Sequence, residues 1–163
     1  MVGSNSAAER RRGVLRVVPG TRFALVAGRF NEPQVAQLVA GAQAALRGAG
    51  AVGADVELHW VPGAWELPTA ALWLTASERF TAIVALGCVI RGDTPHFDFV
   101  AGECARGLMQ VQIDTGIPIA FGVLTVDTLA QAEERADPKR MDKGGEAALA
   151  ALEMANLVRS MGD

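Results

Sequence analysis

The chain has 163 residues, half of them apolar, with a formal net charge of −3 and a mean hydropathy of +0.23. That length bounds it to one domain with room for short arms, and the slightly acidic balance excludes binding nucleic acid through bulk charge. The longest apolar run reaches about half the length that a bilayer crossing needs, and no apolar segment of signal-peptide type opens the chain; a cytoplasmic placement with no membrane partner follows.

So much apolar surface in so small a domain is most easily hidden against further copies of the chain, so a homo-oligomer is expected. The two cysteines, Cys88 and Cys104, have neither CxxC nor metal-ligand spacing. They read as reduced thiols of the core or of a pocket wall, and no metal site is expected.

Residues 1–20 carry Arg10, Arg11, Arg12 and Arg16, lack periodicity and end in the turn signal Pro19-Gly20. They read as an N-terminal arm ahead of a domain over 21–163. Residues 14–18 have strand composition but no partner in their own chain. Pairing with the sheet edge of a neighbouring subunit is one expectation for them; a disordered arm is the other.

The first internal strand is predicted over 23–27, with Gly28-Arg29-Phe30-Asn31 as its exit loop. A helix over 33–46 follows, opened by Pro33 and stopped by Gly48 and Gly50. A strand over 56–61 ends in Pro62-Gly63 and leads to a helix over 65–77. The third strand, over 81–90, is a continuous apolar run of the kind buried on both faces. Arg91, Gly92, Asp93, Thr94 and Pro95 break it, and His96 stands at the entry to a helix over 97–113. A fourth strand spans 118–124. Asp127 or Thr128 caps a short helix through Arg135, residues 136–142 connect, and Asp142 caps a terminal helix reaching about Met161. Strands alternating with helices make βαβ crossovers. The fold class is therefore α/β, a three-layer sandwich with a four-stranded parallel sheet flanked by helices on both faces.

In an open parallel sheet, ligands bind outside the carboxyl ends of the strands. The four ends deliver Phe30 and Asn31; Gly63, Ala64, Trp65 and Glu66; Cys88, Val89 and Ile90 with the loop to His96; and Thr125 with Arg135 one short helix later. One rim is expected to hold them all: an aromatic face, a carboxylate, an anion loop at a helix N-terminus, a histidine and an arginine. The set suits a planar heterocycle with a polyol tail and a phosphorylated co-substrate. Each residue also has an ordinary explanation. Phe30 reads equally as a hydrophobic staple, Glu66 as a carboxylate favoured by a helix dipole, Thr94 as a turn residue and His96 as a cap. Arg135 and Lys143 read as solvated surface charges.

The motifs GRFN at 28–31, VPGAWELP at 61–68, GCVIRGDTPHFDFV at 87–100, GIPIAFGVLT at 116–125, QAEERA at 131–136 and KGGEAALAALEMANL at 143–157 occur in that order. Together they resemble the 6,7-dimethyl-8-ribityllumazine synthases, with RGDTPHFD the most specific stretch. The resemblance covers residues 23–161 and implies a flavodoxin-like form of the sandwich. It further implies a transferase of riboflavin biosynthesis that condenses 5-amino-6-(D-ribitylamino)uracil with 3,4-dihydroxy-2-butanone 4-phosphate, releasing phosphate and water without metal or organic cofactor.

Carried over by position, the resemblance makes His96 the proton donor and Phe30 the stacking platform for the pyrimidine. Ala64, Trp65 and Glu66 hold the ring and ribityl chain, and Cys88, Val89 and Ile90 give main-chain contacts to the uracil. Asp93 and Thr94 flank the phosphate, Arg135 neutralises it, and Phe121 closes the pocket of an adjacent subunit. The implied assembly is built from pentamers, alone, paired or in an icosahedral shell, with riboflavin synthase as a functional partner. The short connector at 136–142 leans towards the shell, while Pro138 leans away from it. Trp65 stands where the family usually has phenylalanine, which enlarges the pocket wall. Asp93 puts a carboxylate beside a phosphate, tolerable where its main chain faces the anion. The alternative is a non-catalytic riboflavin- or lumazine-binding or shell-forming protein of the same fold.

Overall fold

A computed structural model describes residues 12–162. Four parallel strands, β1 (Phe23–Gly28), β2 (Val56–Val61), β3 (Ala82–Ile90) and β4 (Ile119–Val126), form one sheet in the order β2-β1-β3-β4. Five helices cover it: α1 (Glu32–Gly48), α2 (Leu67–Ala76), α3 (His96–Thr115), α4 (Leu129–Ala136) and α5 (Lys143–Gly162). The α/β sandwich expected from the alternation of strands and helices is present, with boundaries shifted by one or two residues at most ends.

The central strands read as unbroken apolar runs because both of their faces are covered. In β1, Phe23, Leu25 and Ala27 pack against α1 and α5, while Ala24 and Val26 pack against α2 and α3. Fully burying such a side chain contributes about 1.5–3 kcal/mol for each of the larger ones. The edge strand β2 is only half-buried, which agrees with its interleaved Glu57 and His59. On the first face, α1 and α5 approach so closely that a Cβ on Gly144 would stand 2.0 Å from the Leu38 carbonyl oxygen. Only glycine fits there.

The caps explain the later boundaries. Thr128 Oγ1 accepts from the Gln131 amide at 3.2 Å, and Gln131 Oε1 accepts from the amides of Asp127 and Thr128 at 2.8 and 3.2 Å. This reciprocal box makes Thr128, not Asp127, the cap of α4. Asp142, at φ 44°, accepts from the Gly145 amide at 3.1 Å and so caps α5.

As expected for a segment with no strand partner in its own chain, residues 14–18 form no strand here. The Val17 amide donates to the Ala49 carbonyl at 2.8 Å, and Asn156 Nδ2 donates to the carbonyls of Val14 and Arg16 at 2.6 and 3.0 Å. The segment thus lies across the end of α1 and the middle of α5, away from any strand of its own sheet. Arg10 and Arg11 fall outside the described residues. No described helix is long and apolar enough to cross a membrane.

Candidate active site

The first part of the site is built where β1 and β2 leave the sheet. Beyond the strands the pairing continues for two steps: the Arg29 amide donates to the Val61 carbonyl at 2.8 Å and the Phe30 amide to Pro62 at 3.0 Å. Gly28 permits this, since a Cβ there would stand 3.0 Å from the Gly63 carbonyl carbon. Phe30 and the Ala64–Glu66 turn are thereby held side by side. Phe30 is 73% exposed and Trp65 56%, so two large aromatic faces stand in water with no ring or cation stacked on them among the described residues. Such faces gain most from a planar ligand laid on them.

Asn31 fixes the turn. It adopts the left-handed conformation (φ 59°) immediately before α1, and its Nδ2 donates to the Cys88 carbonyl at 2.9 Å. It ties the end of β1 to the end of β3, at the point where strand order reverses and α/β sheets bind ligands. Sequence reasoning placed Asn31 on the rim without giving it a task. Its signal was an Asn directly before a helix-opening Glu-Pro, a residue type that tolerates αL.

β3 supplies the second part. Its last residues, Val89 and Ile90, are half-buried, and the loop from Gly92 to Pro95 is exposed. His96 opens α3, its amide 3.4 Å from Thr94 Oγ1, with its side chain open to solvent. The N-terminus of the 20-residue α3 directs its positive end at this loop, favouring an anion. Burial pushes the Cys88 thiol up to about 11, so it stays neutral and is no nucleophile at neutral pH.

These residues enclose a hollow of about 410 Å³, lined by Phe30, Ala64, Trp65, Glu66, Cys88, Val89, Ile90, Thr94 and His96 among others. Nine of the twelve residues singled out in the sequence are therefore together. Among the described residues, no arginine or lysine lines it. Asp93 lies exposed on the loop beside it and is not part of the lining.

Arg135 and Phe121 are elsewhere. They line a second hollow, also about 410 Å³, that wraps the open edge of β4 with Thr125, Lys143 and Glu146. The single rim expected from the strand ends is thus not made within one copy of the chain. The reason is topological: α3 packs on one face of the sheet, whereas α4, through Ala132 and Ala136, packs on the other with α1 and α5. The arginine is loosely held, with Nη1 3.3 Å from the Gln131 carbonyl and 3.9 Å from Glu134. Lys143 Nζ donates to Glu146 at 2.6 Å. Lys143, read above as a surface charge, belongs to this cationic hollow.

A flavodoxin-like sandwich, with an aromatic hollow bearing a histidine at its switch point and a cationic hollow at its edge, defines an α/β enzyme for a planar ring and an anionic co-substrate. Residues 20–159 match the family of 6,7-dimethyl-8-ribityllumazine synthase. The chain is 54% identical over 138 residues to the 6,7-dimethyl-8-ribityllumazine synthase of Gemmatimonas aurantiaca, covering 85% of this chain and 84% of that one. It is 47% identical over 145 residues to the enzyme of the same name from Syntrophus aciditrophicus, covering 89% and 94%. The chain belongs to the 6,7-dimethyl-8-ribityllumazine synthase family, the transferases of riboflavin biosynthesis.

Proposed function

We propose that the first hollow of one copy and the second hollow of an adjacent copy together form the site for the family's reaction. That reaction condenses 5-amino-6-(D-ribitylamino)uracil with 3,4-dihydroxy-2-butanone 4-phosphate, releasing phosphate and water. One observation carries the reading: among the described residues, the hollow containing His96 has no guanidinium or ammonium group to meet a phosphate, and the hollow containing Arg135 and Lys143 has no histidine. A phosphate dianion buried without a charged partner would be costly. A second copy that brings Arg135 and Phe121 to the mouth of the first hollow supplies what is missing. Exposed Trp73, Phe99, Met109 and Ile113 on α2 and α3 provide apolar surface for such contacts.

In this arrangement the pyrimidine stacks on Phe30, with the main chain of Val89 and Ile90 against its polar edge. The Cys88 carbonyl shares that edge but already accepts from Asn31. Ala64 and Trp65 form the wall, and Glu66 accepts hydrogen bonds from ribityl hydroxyls. The phosphate lies at the start of α3, between the loop backbone at Asp93 and Thr94 and the neighbour's guanidinium. The 5-amino group attacks the butanone carbonyl, and loss of water leaves an imine. Removal of a proton from the adjacent carbon expels phosphate. The resulting enol tautomerises to a ketone, which the ribitylamino nitrogen attacks to close the ring with loss of a second water. His96 carries protons in these steps, a contribution of about 10²–10⁴-fold in favourable cases. Holding two reactive partners together contributes the larger share.

The same reading assigns residues 1–20 to an arm that reaches a neighbour's sheet edge, ahead of a domain over 21–163. It places assemblies of pentamers in the cytoplasm, and riboflavin synthase downstream as the consumer of the product. Mixing the two substrates with the protein and following lumazine fluorescence tests the activity, because a mere binder produces none. Light scattering tests the assembly: a monomer in solution would remove the composite site.

A further inference from the structure

Arg91 is exposed and stands outside both hollow linings, yet it is the most heavily engaged cation near the site. Its amide continues the β3–β4 ladder by donating to the Val126 carbonyl at 2.9 Å. Its Nε donates to Asp127 Oδ1 at 2.9 Å, and its Nη1 lies 3.4 Å from Asp98 Oδ1. The guanidinium carbon sits 4.3 Å from the centre of the Phe97 ring. Phe97 and Asp98 directly follow His96 in the first turn of α3, and Asp127 directly precedes the cap of α4. The hydrogen bond to Asp127 and the nearby charges of Asp98 and Asp127 raise the guanidinium's proton affinity further, so the cation persists at every working pH.

We propose that Arg91 is a positioning residue for His96: it registers the first turn of α3 against the end of β4, and so sets the imidazole and the phosphate loop over the ring-binding floor. The loop from Gly92 to Pro95 makes few contacts of its own, and Gly92 has nothing within 4 Å of where a Cβ would sit. A side chain that stacks on one residue and forks to two others holds this turn from three directions. A planar fork can do that, and an ammonium cannot. The role of His96 that this serves is the one proposed above, and the inference rests on that reading. Exposed ion pairs of this kind add little to global stability, so their loss is expected to show in turnover rather than in folding.

The test is a set of variants assayed for lumazine formation with both KM values, kcat and thermal midpoint. Arg91→Ala is expected to lower kcat about tenfold, with the pyrimidine KM within twofold and the melting temperature within a few degrees of wild type. Arg91→Lys should recover only part of kcat, and Asp127→Asn should lower it in the same direction. In a His96→Ala background, Arg91→Ala should have almost no further effect, because the group it positions is gone. Unchanged kcat in Arg91→Ala overturns the inference, as does a full tenfold loss on top of His96→Ala, which would mean that Arg91 acts on substrate by itself. An unchanged kcat in His96→Ala together with a slow Arg91→Ala would instead sink the role given to His96. The two failures are therefore distinguishable.

Discussion

The two hollows are alike in volume and opposite in chemistry. The one at the switch point between β1 and β3 is floored by backbone and walled by Phe30 and Trp65, with Glu66, Thr94 and His96 as its polar groups. The one at the edge of β4 holds Arg135 and Lys143 beside Glu146. A single domain thus carries two hollows, one with aromatic walls that suit a flat ring and one with cations that suit an anion, lined by different elements of the fold. On the proposed reading, the difference teaches that the catalytic unit is a boundary between copies rather than a fold. The same reading accounts for why half of a chain this small is apolar: surface that a monomer would have to hide would bring the halves together.

The sharpest way to break that comparison is to damage one hollow per chain. Phe30→Glu and Arg135→Glu each alter an accessible side chain, and each alone is expected to lose about 10²–10³-fold in kcat/KM by removing ring stacking or reversing the charge at the phosphate. Co-assembled from a mixed, denatured and refolded pool, they should recover about a quarter of the wild-type rate, the fraction of boundaries in a random ring that set two intact halves together. No recovery would mean that both residues serve a site within one chain.

A milder change separates the two tasks kinetically. Arg135→Ala should raise the butanone-phosphate KM by about 10–100-fold, the worth of a charge-assisted contact, and leave the pyrimidine KM alone. An unchanged phosphate-substrate KM would remove the guanidinium from the site. His96→Ala should lower kcat by about tenfold, near or below the bottom of the range for general acid–base groups, because the reactants' own reactivity and their proximity carry most of the rate. A loss of four orders of magnitude would make the imidazole far more than a proton carrier.

The smallest effect concerns the thiols. Burial holds Cys88 at about 11 and Cys104 at about 12, against the ordinary value of 9. At pH 8 neither should react with iodoacetamide in the folded protein, although both should in urea. The unfolded chain ionises its thiols first. The stability they contribute is therefore complete below about pH 9, declines above it, and is lost as pH rises through the folded values. Denaturation midpoints measured between pH 8 and 11 should fall accordingly, and less so in Cys104→Ala. Fast alkylation of Cys88 at pH 8 would show the floor of the His96 hollow to be open.

What local order the residues dictate was readable in advance. The run at 82–90 can only be a strand covered on both faces, Pro33 and the glycines after α1 bracket that helix, and Asp142 caps α5, because these are matters of period, dihedral preference and near-neighbour hydrogen bonds. The grouping of Phe30, Trp65, Glu66 and His96 followed from one rule about parallel sheets. Three things did not follow. Asn31 reaches Cys88 across 57 positions and Arg91 reaches Asp127 across 36, separations at which spacing carries no signal. Residues 14–18 look like a strand by composition, yet they lie on helices in this chain, since their carbonyls meet Asn156 from the far end of the sequence. The separation of Arg135 from His96 is the plainest case. The order of residues puts both after carboxyl ends of strands, but which face of the sheet the next helix takes is decided by where Ala132 and Ala136 can be buried, a question settled only when α1 and α5 are already in place.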